Sequence, residues 1–181
     1  MDPVKSYEYL ARARERVFDA IRPVTSEQYG HEFAFGLKSI AATVTHIMIS
    51  EWYYIARLEG QQVPPYEEWP IKYEAPPAFG VVEAAWREQT KHTRAAISAE
   101  RDWNRRITWI SFPDDAGRRF HISASAGDLM TQLAFHEVHH RAQVMSMLRG
   151  LGDPVKPVED LDYNGLMYER TPVNGAQGRE T

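Results

Sequence analysis

LMTQLAFHEVHHRAQVMSMLRGLG, residues 129–152, reads at a helical period. Steps of three and four pick out Leu129, Leu133, His136, His140, Val144, Met147 and Leu151. Such a stripe is the inward face of a helix. Two of its members are histidine where the pattern asks for Leu or Val. Side chains at i and i+4 leave one face together, so both imidazoles can reach one ion. Burying a polar ring without a partner costs on the order of a few kcal/mol. One solution is a hydrogen-bonded pair of core histidines. The other is a divalent cation, which holds both rings neutral and removes the repulsion between protonated ones.

A third histidine favours the cation. Residues Leu37 to Leu58 form a second helix, apolar on most faces through Leu37, Ile40, Val44, Ile47, Met48, Trp52, Ile55 and Leu58. A helix that is apolar nearly all round is central, and His46 sits midway along it. His46, His136 and His140 are therefore the candidate metal ligands. Three imidazoles leave a side open for water or substrate, the pattern of catalytic rather than structural sites. His31 and His92 fall in polar surroundings, His121 lies on a hairpin, and His139 is about 100° round the helix from His140.

The same run also fits H-E-x-x-H through His136, Glu137 and His140, the zinc-protease pattern with Glu137 as general base. Its extended form fails, because Gln143 stands at the Gly position and Ser146 at the third His. Glu159 is the remaining carboxylate for a glutamate third ligand. The simpler reading of Glu137 is a helix-surface carboxylate paired with Arg141 at i+4. Glu51, Tyr53 and Arg141 are the nearby groups able to assist chemistry. Glu51, in an apolar helix, requires a buried partner.

Outward from these helices, Tyr7, Leu10, Arg14, Val17, Phe18 and Ile21 stripe a first helix over Lys5 to Ile21, ended by Pro23. A third helix spans Val81 to Ala99. Residues 60–79, with five prolines, form a long crossover or, on a sharper reading, an aromatic lid of Tyr66, Trp69, Tyr73 and Phe79. Ile107–Phe112 and Arg119–Ile122 flank PDDAG as a hairpin. Ser125 caps the last long helix with Asp128 three residues on, and Gly152 ends it before Pro154. A short helical piece follows over Leu161–Tyr168. The fold class is all-α: a four-helix bundle with long crossovers and one short hairpin before the last long helix. Residues 1–170 make one domain, and the tail 171–181 reads as disordered.

Composition narrows the function classes. Of 181 residues, 43% are hydrophobic and 25% charged, which is ordinary for a globular protein. A net charge of −4 argues against nucleic-acid binding. The chain has no cysteine, so zinc–thiolate sites and thiol nucleophiles are excluded within it. No signal-peptide core or membrane span is read, which makes a cytoplasmic location the expectation.

The chain resembles the DinB/YfiT-like metalloenzymes, unrelated to the polymerase that shares the name. The resemblance spans about residues 5–168. It rests on THIMISEWYYIARLEG, HEVHHRAQVMSMLRGLG and DPVKPVEDLDY, and chiefly on the H-x-x-H-H-R-x-Q-x-x-x-x-L-R-x-L-G run. It implies a four-helix bundle whose metal triad maps onto His46, His136 and His140, holding zinc, nickel or another divalent ion. It implies a homodimer acting on a small-molecule substrate without nucleic acid or membrane. Characterised relatives are low-molecular-weight thiol S-transferases and a mycothiol-dependent isomerase, so a thiol co-substrate is one implication. Thiol transfer and hydrolysis both stay open. The rival is a non-enzymatic, metal-binding stress-response dimer. Two departures stand out: Ala142 where relatives often have Gly, and Phe-His-Glu-Val where they often have Asn-His-Gly-Thr.

Overall fold

The computed structural model describes residues 2–152, 155, 158 and 161–169. Four long helices carry it: α1 (Pro3–Ile21), α3 (Ile40–Leu58), α4 (Phe79–Ala99) and α5 (Ala126–Gly150). Of two short ones, α2 (Ser26–Tyr29) lies in the connection between α1 and α3, and α6 (Tyr163–Met167) follows α5 and packs on α1. Both α1 and α3 pack against α4 and α5, so α1 faces α3 across the diagonal of a four-helix bundle. The all-α expectation holds. The expected disordered tail and Glu159 lie outside the described residues. No helix among those described is long and apolar enough to cross a membrane.

The helix ends follow local chemistry. Asp2 caps α1 through its carboxylate, which accepts from Val4 N and Lys5 N. At α5, Ser125 and Asp128 exchange hydrogen bonds with each other's backbone N–H, the expected capping box. The helix expected from Leu37 begins instead at Ile40. Gly36 and Lys38 adopt positive φ (57° and 69°), which no helix accommodates, and Ser39 then caps through Ala42 N. At its other end Gly60 takes φ 74°. There Gly60 N donates to Arg57 O and Gln61 N to Ala56 O, a paired closure that glycine permits.

The hairpin is present with a shifted second strand. β1 (Arg106–Ile110) pairs antiparallel with β2 (His121–Ser125), Trp109 opposite Ile122 and Ile107 opposite Ala124. The expected strand over Arg119–Ile122 starts two residues later and runs directly into the cap of α5. Ser123-Ala124-Ser125 carries little strand propensity, so its pairing is set by partner rather than by composition.

The core falls into two apolar clusters. One gathers Phe18, Val44, Met48, Trp86, Val144 and Leu148; the other gathers Tyr7, Leu10, Ile55, Ile97, Leu129 and Leu133. Between them lies a buried polar layer of Arg14, Glu51, Thr93, Glu137 and Arg141. This layer corrects the reading of α5. Its buried line passes Leu133, Glu137, Arg141 and Val144, while His136 and His140 are only half-buried. The histidines stand one step round the helix from the core, at the margin of a crevice.

Candidate metal centre

α3 and α5 pack side by side and bring three imidazoles together. The ligand-capable nitrogens of His46, His136 and His140 all lie within 4.8 Å of one another. Nε2 of His46 and Nε2 of His136 are 2.9 Å apart. The ring centroids stand 4.8 Å (His46–His136), 4.8 Å (His46–His140) and 4.6 Å (His136–His140) apart. Burial, reinforced by the charge of His140, pulls the His46 ring down to about 4. Burial and the neighbouring histidines take His136 to about 3. His140 is lowered too, mainly by burial, against the opposing effect of its hydrogen bond to Gln143. Neutral rings at ordinary pH keep their lone pairs for a cation. An all-imidazole donor set suits zinc, nickel, copper or iron rather than magnesium or calcium.

Gln143 orients the cluster, a role its place in the failed protease motif did not suggest. Its Oε1 lies 2.8 Å from Nδ1 of His140, and its Nε2 lies 3.2 Å from Nε2 of His139. The carbonyl end can only accept, so His140 donates from Nδ1 and turns its Nε2 lone pair elsewhere. Gly36 packs against this amide: a Cβ there would stand 3.0 Å from Gln143 Oε1. His139 itself is exposed.

Glu137 points away from the histidines, so the surface-pair reading and the general-base reading both fail. The residue is 3% exposed. Its carboxylate accepts from Arg14 Nη2 at 2.6 Å and Nε at 3.3 Å. Arg141, its expected partner, instead donates to Tyr9 OH at 2.6 Å. Glu51 has the required buried partner, and several more. It accepts from Arg14 Nη2 (2.7 Å), Trp86 Nε1 (2.7 Å), Thr93 Oγ1 (2.7 Å) and Tyr7 OH (2.5 Å). Arg14 completes its fork on Thr90 Oγ1 and stacks 4.1 Å over the Trp86 ring. Burial lowers the Arg14 pKa, but Glu137 and Glu51 outweigh it and hold the guanidinium above its ordinary range. Arg14 thus bridges the two helices that carry the histidines. An arginine inside an apolar stripe was the available signal for it.

A cavity of about 980 Å³ opens beside His46. The crossover supplies much of its wall: Trp69 is buried, and Tyr66 and Tyr73 are half-buried. The Tyr73 ring meets His46 edge-on at 5.2 Å. Phe79, the fourth residue of the expected lid, belongs instead to α4 and packs on Phe18 and Tyr29. Tyr53 lines the cavity, whereas Glu51 and Arg141 lie behind the histidines in the polar layer.

The model of the DinB family matches residues 1–171. The chain belongs to the DinB family. No curated protein gives a significant match. In this DinB chain the residue after the first α5 histidine is Glu137, and Arg14 accommodates its charge. Ala142, the other departure from the familial pattern, is solvent-exposed on α5.

Proposed function

We propose that this DinB-family protein is a metal-dependent enzyme whose ion, zinc or nickel, is held by His46, His136 and His140. The observation that carries the reading is the convergence of three imidazoles, one of which, His46, lines a cavity of small-molecule size. A divalent ion bound there supplies Lewis acidity and lowers the pKa of a water or thiol that it meets. The chain's own residues do the rest. Gln143 fixes the tautomer of His140, Tyr73 packs edge-on against His46, and Trp69 with Phe112 keeps the cavity apolar. Thiol transfer and hydrolysis share these requirements. Without cysteine in the chain, a thiol must arrive as a low-molecular-weight co-substrate.

The test is elemental analysis of the purified protein and of the His136→Ala/His140→Ala variant. Near-stoichiometric metal in the first and little in the second is expected; equal content in both would sink the triad. Screening thiol addition to electrophiles against ester and amide hydrolysis then separates the reactions. Silence in both, with metal bound, favours the non-enzymatic rival. Homodimerisation belongs to the proposal as well. It is supported by Phe135 (62% exposed) and Val138, which stand out from α5 beside Tyr163. Light scattering on the eluting peak measures it.

A further inference from the structure

The cavity beside His46 has a second end. One face of α3 lines it continuously, from His46 through Ile49, Ser50 and Tyr53 to Arg57. Eleven residues separate His46 from Arg57, about 16 Å along the axis at about 1.5 Å per residue. Three helical turns return almost to the same face, so both residues look into one space. At the far end Arg57 stacks over Tyr53 (5.1 Å) and Trp109 of β1 (5.7 Å). Its Nε is buried without a hydrogen-bond partner, and no carboxylate among the described residues lies within ion-pair distance. Arg119, from the same hairpin, adds a second cation to the wall. Glu67, the acid of the lining, is exposed. Between the two ends the walls are aromatic and aliphatic: Tyr53, Trp69, Phe112 and Ile110.

Arg57 is half-buried, and one of its donors, Nε, lies out of water with nothing to bind, which leaves its desolvation uncompensated. Two aromatic rings hold its plane in place, so the fork is oriented before any ligand arrives. We propose that Arg57 reads a carboxylate at the tail of the substrate, and that the substrate class is an elongated organic acid with an apolar middle. The reacting group would then lie at the histidine end and the carboxylate at the hairpin end. The inference rests on the reading of this cavity as the substrate site, and it deepens that reading from reaction to substrate.

The test is binding of an ω-phenylalkanoate series and the matched ω-phenylalkanols, followed by calorimetry and by quenching of tryptophan fluorescence. The acid should bind about tenfold more tightly than its alcohol, the effect of one charge-assisted fork. Affinity should also rise with each added methylene until the cavity is spanned. Arg57→Gln should abolish the acid preference and leave alcohol binding in place; Arg57→Lys should restore part of it. His136→Ala should keep the preference. Equal binding of acid and alcohol by the native protein overturns the proposal, as does a preference that survives Arg57→Gln. A preference lost in His136→Ala overturns it too, by placing the carboxylate at the histidines. Metal content measured on the same samples separates the two readings. Absent metal with the preference intact sinks the metal reading alone, and bound metal without the preference sinks this one alone.

Discussion

Arg14 is where the two histidine-bearing helices are tied. Each of its ion pairs ends on a different helix, Glu51 on α3 and Glu137 on α5, and all three groups are out of water. Removing one partner of such a set strands charge in a low dielectric. Arg14→Met is expected to cost about 3–5 kcal/mol, read as a lowered urea midpoint. A change below about 1 kcal/mol would mean that water enters the layer. Gln143 makes a separate demand. Gln143→Leu removes the acceptor that holds His140 in register and should weaken metal affinity about 10–100-fold with little change in folding stability. Competition against a chromophoric chelator measures it, and an affinity within twofold of the native value would remove Gln143 from the site.

At the scale of elements, α5 depends on its entry. Strand β2 passes without a linker into the cap, so Ser125 terminates one element and starts the next. Ser125→Ala should cost about 1 kcal/mol, seen in denaturant unfolding, because the Asp128 N–H loses its acceptor, Ser125 Oγ. What could be read from sequence divides along the same lines. Period, caps and prolines placed all four long helices and the hairpin, because those signals are local. The histidine cluster was also legible, since i,i+4 spacing on α5 and one isolated His on an apolar helix are both visible in a string. Which way Glu137 points was not. A helical stripe is broad, and His136 and Glu137 differ by about 100° of rotation. Only the arrival of Arg14 from a distant helix decides which of them faces the core. The start of α3 was missed for a backbone reason: Lys38 takes a left-handed φ that its residue type does not announce.

Across the whole molecule, surface arginines hold carboxylates in their charged form. Arg94 lowers Glu8, Arg22 lowers Glu83, and Arg105 lowers Glu100, in each case chiefly through a direct hydrogen bond. A carboxylate with a depressed folded value binds fewer protons than it does unfolded. Its stabilisation is therefore complete above the ordinary value near 4.5 and is lost as pH falls through the folded value. Unfolding midpoints should fall steadily below about pH 4.5 and do so less steeply in the triple variant Glu8→Gln/Glu83→Gln/Glu100→Gln. Identical acid limbs for the two proteins would assign the loss to other groups.

The polar layer also constrains descent. Positions 14, 51 and 137 lie far apart in the chain yet form one set inside the bundle, a single guanidinium shared by two carboxylates. A lineage that trades Glu137 for glycine releases one of the two anions that Arg14 serves, and one that loses Arg14 strands both. Natural variants should therefore change these three positions as sets. Aligned homologues would reveal the coupling as covariation between α1 and α5, most sharply where residue 137 is uncharged.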